Sequence, residues 1–258
     1  MNKQTNHYFS TSVEKGFRIM NLFNQDCKKL SLMNIAEALG IGKVTAFRYV
    51  NTLLELGYLR REPQTKLLKP GPSAIMLSNN LVKSFDLLEI IRPYIDEAYN
   101  MYKVSIDSAL LEGNALLKLY QRVVKEKVMY DLPIVETGLH CTALGKAVLA
   151  FLPDQEMQTL VDGLNLIKRS RKTLVTKAAL LADLAKTRKR GYALNDEEYI
   201  IGLISIGAPL INSEANRPIG AISFTFSSAE YSAKVMEKKY AKPVMDLANR
   251  ISKAIPIG

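Results

Sequence analysis

The chain has 258 residues, 48% of them apolar, and a formal net charge of +10 at neutral pH. That length accommodates two domains of ordinary size, and the positive excess points to a polyanionic partner. Two cysteines without a CxxC exclude a disulfide framework and a zinc ribbon, and no apolar run approaches the ~20 residues of a membrane span. The N-terminal MNKQTNHYFSTSVEKG has no apolar core of a signal peptide, so the expected compartment is the cytoplasm. Basic charge is densest early: through Pro72 there are eleven Lys/Arg against five Asp/Glu, and 24 against 20 in the remainder.

In chain order, Ser10 to Ser12 cap a first predicted helix with Val13, Phe17, Met20, Leu22 and Phe23 on its inner side. Leu30 to Gly57 then reads as a helix-turn-helix. Ser31 is the expected N-cap, since its hydroxyl can accept a backbone N–H that the first turn leaves unpaired. Leu32, Ile35, Ala36 and Leu39 recur at helical spacing, and Gly40 ends the helix because glycine tolerates a left-handed conformation.

Lys43 to Leu56 form a second predicted helix with two unlike faces. Ala46, Tyr49, Val50 and Leu53 make its core side, flanked by Leu54 and Leu56, while Val44, Arg48, Asn51 and Glu55 lie opposite. A recognition helix in the DNA major groove needs such an apolar back and a polar, arginine-bearing front. An ordinary helical hairpin with a solvated face has the same pattern. The next segment favours DNA: two short runs, Tyr58–Arg61 and Lys66–Lys69, flank a proline-containing turn. This is a wing, with Arg60, Arg61, Lys66 and Lys69 positioned for phosphates.

From Ser73 to about Lys103 the apolar spacing is helical, interrupted near Lys83-Ser84, with Pro93 inside it; the domain connection is placed here. Beyond it the pattern is α+β. Strands are expected at Ser105–Leu111, Ala115–Val123, Val128–Tyr130, Tyr192–Leu194, Leu203–Ile211 and Ile219–Phe226, with Asn212–Arg217 a hairpin loop. Helices are expected at Thr142–Leu152, Thr176–Arg190 and Lys234–Ala254, the last with a bend at Pro243.

These residues resemble one family, the IclR bacterial transcription regulators. The resemblance rests on IAEALGIGKVTAFRYVNTLLELGYLRRE, on LHCTALGKAVLAFLP (Leu139 to Pro153), on AKTRKRGYALNDEEYIIGLISIGAPL (Ala185 to Leu210) and on GAISFTF (Gly220 to Phe226). It implies an α+β chain: an N-terminal winged helix-turn-helix over 10–72, a helical linker over 73–103, and an effector-binding, oligomerising domain over 104–258 with a GAF/PAS-like antiparallel sheet and flanking helices. It further implies double-stranded operator DNA and a small organic acid as partners, and a homodimer or homotetramer.

Carried over position by position, Lys43, Thr45 and Arg48 match the DNA-reading helix. Val44 departs from a frequent serine, and Phe47 is apolar on the same face. Both suit thymine methyl groups, and Phe47 equally suits packing on the first helix or wing. For the effector, the resemblance implies the helix start at Ala143 and Leu144 for the carboxylate, with Asn195, Leu203, Ser205, Ser223 and Thr225 lining the pocket and Met129 as an apolar wall. Asn195 stands where aspartate is frequent and Ser205 where cysteine is common. The three hydroxyls also fit plain strand positions.

Other chemistry is weaker. His140-Cys141 lacks further metal ligands, and Asp196-Glu197-Glu198 reads as caps or salt bridges. The run KTRKR (Lys186 to Arg190) reads as a solvated, dipole-complementing helix end. No P-loop, GxGxxG after a strand or GxSxG appears, so no catalytic residue, metal or cofactor is expected. An enzyme with an appended winged helix and a protein-interaction module are the competing classes.

Overall fold

The computed structural model describes residues 8–24, 27–83, 86–124, 135–136, 138–212 and 214–255. It divides into two compact units, Met1–Ser84 and Phe85–Gly258, a boundary that falls inside the expected linker.

In the first unit, helix α1 (Thr11–Asn21) starts at Ser10, whose side chain accepts from the Val13 N–H. Helix α2 (Leu32–Leu39) starts at Ser31 with a reciprocal capping box. The Ser31 hydroxyl accepts the Asn34 N–H, and the Asn34 side chain accepts the Ser31 N–H. It ends at Gly40 with φ of 64°, the left-handed conformation a side chain would resist. Helix α3 (Lys43–Glu55) follows, then strands β1 (Leu59–Arg61) and β2 (Leu68–Pro70), paired antiparallel.

Ile19, Ile35, Leu39, Val50, Leu59 and Leu68 form the core of this unit. One expectation about it fails: Val13 and Phe17 lie on the outer side of α1, 57% and 61% exposed, and Ile19 is the residue that goes inside. The helical stripe through 13 and 17 points away from α2 and α3, and only the stripe containing Ile19 packs on them. Leu30 also joins the wing, exchanging both backbone hydrogen bonds with Leu68 at 3.0 and 2.8 Å. Helix α4 (Pro72–Lys83) closes the unit.

The second unit opens with α5 (Asp86–Tyr102), which contains Pro93. Its antiparallel sheet runs in the order β5-β4-β3-β8-β7-β6. The strands are β3 (Ser105–Glu112), β4 (Ala115–Arg122), β5 (Val135–Glu136), β6 (Ala193–Asp196), β7 (Leu203–Asn212) and β8 (Arg217–Ser227). Strands β7 and β8 extend to Asn212 and Arg217, so the expected loop there is shorter than predicted. The expected strand at Val128–Tyr130, with Met129, lies outside the described residues.

Alternation along these strands gives the sheet two different faces. On one, Ile106, Ile204, Ile206, Ile222 and Phe224 pack with α5 and with α9 (Ala233–Ala254), which buries Met236, Tyr240, Val244, Leu247 and Ile251 at helical spacing. On the other lie α6 (Ala143–Phe151), α7 (Asp154–Gly163) and α8 (Lys177–Arg190). Helix α7 is absent from the sequence expectations: its N-cap is Pro153, so no polar cap marks its start, although Met157, Leu160 and Val161 pack on the core at helical spacing. Among the described residues no helix is long and apolar enough to cross a membrane.

Candidate functional site

The first candidate surface is the outer face of α3 with the wing. Ala46 and Val50 anchor the helix from behind, and Tyr49, Leu53 and Leu54 are half-buried; Leu56 is exposed. On the front, Lys43, Val44, Phe47 and Arg48 are exposed, Val44 at 76% and Phe47 at 49%, while Thr45 is half-buried. A valine and a phenylalanine so placed contribute nothing to the core of this unit. The N-cap is Gly42, with no side-chain cap, so the first N–H groups of α3 face outward.

In the wing, Arg60, Arg61 and Lys66 are exposed. Among the described residues none of Lys43, Arg48, Arg60, Arg61 and Lys66 is held in an ion pair. Lys69 differs: it sits 3.5 Å from Glu62, which also binds Lys29 at 2.7 Å and accepts the Thr65 hydroxyl. The Lys29 hydrogen bond, then that from Thr65, holds the Glu62 carboxyl down at about 2.

The second candidate is a cavity of about 600 Å3, mouth included, in the second unit. Its architecture follows from register. Asn195 lies opposite Ser205, and Ser205 opposite Thr225, giving one lane across β6, β7 and β8. The neighbouring lane runs Gly207, Ser223, Asp107, Gln121. A Cβ at Gly207 would lie 3.0 Å from the Ala143 carbonyl oxygen, so glycine lets the start of α6 sit directly on the sheet.

That helix start keeps backbone donors outside the helix's own hydrogen bonds. Thr142 caps α6: its hydroxyl accepts the Gly145 N–H and its carbonyl accepts the Lys146 N–H, both at 3.0 Å. The helix leaves the Ala143 and Leu144 N–H groups without intrahelical partners. Ala143, Leu144, Asn195, Leu203, Ser205, Ser223 and Thr225 all line this one cavity, so of the expected pocket residues only Met129 is outside the described set. Asp107, Ser108, Ala109, Leu116, Lys118, Thr142, Tyr199 and Ile200 also line it, and sequence reasoning missed them.

Behind α6, Lys146 is 1% exposed and bridges Glu198 at 2.7 Å and Asp183 at 3.0 Å. Burial, set against the pull of Lys146, leaves the Glu198 carboxyl above its usual range. The Glu198 N–H donates to the Asn195 side-chain oxygen at 2.9 Å, tying this ion cluster to the cavity wall. Asp196 and Glu197 bind Lys172, as the salt-bridge reading expects. The KTRKR run is less solvated than expected, for Arg188 donates to the Ala150 and Leu152 carbonyls and to Asp154, closing the C-terminal end of α6. His140 is buried against the Ile167 carbonyl at 3.1 Å.

Comparison with known proteins now decides the family. The family profile described as "Bacterial transcriptional regulator IclR C-terminal" matches residues 79–253, and "IclR helix-turn-helix domain" matches residues 12–63. The chain belongs to the IclR family. It is a DNA-binding transcriptional regulator with an effector-binding C-terminal domain. The HTH-type transcriptional regulator XynR of Escherichia coli is 27% identical over 221 residues, covering 83% of this chain and 85% of that protein. An IclR family regulator from Brucella abortus has the same fold, with a TM-score of 0.76 at 18% identity over 96% of this chain and 93% of that one. So has an IclR homolog from Microbacterium hydrocarbonoxydans solved with 4-hydroxybenzoate, with a TM-score of 0.70 at 17% identity over 95% and 97% of the two chains.

The missed lining residues had a legible signal within this family pattern. Asp107 stands on the face of β3 opposite Ile106, and Lys118 stands between Leu117 and Leu119 on β4. A charge at an inward strand position is costly unless something uses it.

Proposed function

We propose that the regulator reads operator DNA with Lys43, Val44, Thr45, Phe47 and Arg48 of α3, and that Arg60, Arg61 and Lys66 of the wing meet phosphates. In this reading residues 10–72 form the DNA-binding domain, 73–103 the helical connection and 104–258 the effector-binding and oligomerising domain, in a cytoplasmic homodimer or homotetramer without catalytic activity. The C-terminal cavity takes a small organic acid. Its carboxylate sits on the Ala143 and Leu144 N–H groups and hydroxyls of Ser205, Ser223 and Thr225, and Leu144 and Leu203 cover its apolar part. The convergence of these residues on one cavity at a helix N-terminus carries the reading. The 4-hydroxybenzoate held by a fold relative is an acid of the same kind.

The test is fluorescence anisotropy of the full chain against DNA from upstream of its own gene and against a random duplex, across a salt series. Several phosphate contacts predict a steep loss of affinity with salt, and a tighter upstream complex marks the specific site. Carboxylic acids added to the same assay shift operator affinity when the cavity is occupied. Failure to bind any DNA at low salt overturns the DNA reading; acids that bind without changing operator affinity overturn the coupling.

A further inference from the structure

Val44 and Phe47 stand on the reading face of α3, yet neither side chain can hydrogen-bond a base. We infer that they read thymine methyl groups, so that beneath α3 the operator carries thymine at two neighbouring base pairs, beside the base that Arg48 reads. This rests on the DNA reading of α3 and deepens it.

The packing of the first unit leaves both side chains without structural work. The core that Ile35 and Val50 centre takes Tyr49, Leu53 and Leu54 from the margins of α3, and neither Val44 nor Phe47 joins them. Val44 is 76% exposed and Phe47 49%. Of the two uses that the sequence leaves open for Phe47, packing within the unit is therefore removed. A lone exposed apolar residue needs no explanation, but these two share one stripe. At about 100° per residue, Val44, Phe47, Arg48 and Asn51 fall within about 100° of the helix circumference. Asn51 is turned along the helix, its Nδ2 donating to Glu55 Oε1 at 2.9 Å. The apolar pair and Arg48 are thus what the first turns of this stripe present.

Charge on the same face decides what covers it. Lys43 and Arg48 of α3 and Arg60, Arg61 and Lys66 of the wing are exposed and, among the described residues, held in no ion pair. That pattern complements phosphates. Within the major groove the base edges are lined by hydrogen-bonding groups, and thymine alone adds an apolar one, its C5-methyl. Valine or phenylalanine laid over a polar edge strips its water and replaces none of its hydrogen bonds. Over a methyl, apolar surface is buried on both sides.

Spacing sets how the two contacts are shared. Val44 and Phe47 are about 4.5 Å apart along the helix axis, and base pairs rise by about 3.4 Å. With the helix lying along the groove, the two side chains meet neighbouring base pairs. Arg48, one turn beyond Val44, reaches a base beside them, and guanine is the base that an arginine takes bidentately.

For the test, the full chain first selects its preferred duplex from a random-sequence library. Each thymine of that duplex is then replaced singly by deoxyuridine, which deletes the methyl and keeps every hydrogen-bonding group, and affinity is read by fluorescence anisotropy. The expected result is a loss of about fourfold at each of two neighbouring positions, the worth of one buried methyl, and of no more than about 1.5-fold at other thymines. The loss should be equal at low and high salt, because a methyl contact releases no counterions. Val44→Ser should erase it at one of the two positions and Phe47→Ser at the other; both side chains lie outside the core, so neither change removes a core contact. A preferred duplex indifferent to every methyl, or a methyl effect that persists in both variants, overturns the thymine inference and leaves the DNA reading of α3 intact. Variants that bind the selected duplex as tightly as the parent chain also overturn it, and make the pair a patch for a protein. A selection that returns no preferred duplex overturns the reading of α3 itself.

Discussion

Two helix starts, those of α3 and α6, present backbone N–H groups in opposite surroundings. The first opens at Gly42 with no side-chain cap, and Val44, Phe47 and Arg48 around it face solvent. The second opens at Thr142 and is buried along Ala143–Ala150. Charge at the α3 end is screened by salt and its side chains are structurally idle, so a substitution there changes binding alone. Charge at the α6 end is felt in a low-dielectric interior where Lys146, Glu198 and Asp183 hold one another, so a substitution there changes stability and binding together.

Lys146 breaks this comparison most severely. Lys146→Met leaves Glu198 and Asp183 without their buried cation and should cost about 3–5 kcal/mol, read in the urea transition of the C-terminal unit within the full chain. The pH dependence has a definite sign. The folded Glu198 pKa already lies above its ordinary value through burial, and losing Lys146 raises it further. A raised carboxyl contributes stability that is present below the unfolded pKa and lost as pH rises through the folded one. The deficit of the variant should therefore shrink as the pH is lowered. A deficit that grows on acidification would mean that the cluster is not what Lys146 serves.

Arg48→Ala is the counterpart on the exposed helix. It should cost about 1–3 kcal/mol of operator affinity if Arg48 reads a base, while the melting free energy moves by no more than about 0.5 kcal/mol. Arg60→Ala should instead weaken operator and random DNA alike and lower the salt slope by about one. Equal, small losses from both changes would turn Arg48 into a phosphate contact.

The same contrast explains what was legible in the sequence. The helix-turn-helix is local: a cap, an apolar stripe and a terminating glycine lie within a few residues of one another, so Ser31, Gly40 and the α3 faces can be read directly. Val13 and Phe17 of the first helix turn outward against expectation because periodicity offers two apolar stripes and only packing partners choose between them. The cavity is non-local. Asn195, Ser205 and Thr225 meet only through strand register, which family resemblance supplies and periodicity does not, and Asp107 and Lys118 lie outside that resemblance.

Ser31→Ala sharpens the view of the first unit by removing a cap without touching the reading face. The Ser31 hydroxyl satisfies the Asn34 N–H at 3.1 Å, and its loss should cost about 1 kcal/mol in the unfolding of that unit. Operator affinity measured well below the melting temperature should stay unchanged. A loss of affinity as large as that from Arg48→Ala would show that α2 packing sets the aim of α3.

The smallest effect is expected at Glu62, where the two regimes meet. Its carboxyl is held at about 2 by Lys29 and Thr65, below an ordinary value of 4.5. A lowered carboxyl contributes stability that is present above the unfolded pKa and lost as pH falls through the folded one. The first unit should therefore soften on acidification between pH 4.5 and about 2, and Glu62→Gln should abolish that dependence. The change is slight because solvent screens the group. The same substitution has a second consequence of opposite sign. It removes a negative charge from among the wing cations and releases Lys29 and Lys69 from their ion pairs. Binding to operator and random DNA should then strengthen equally, with a steeper salt dependence, because phosphate attraction carries no sequence information. A gain confined to the operator would instead make Glu62 a determinant of specificity, acting through the shape of the wing.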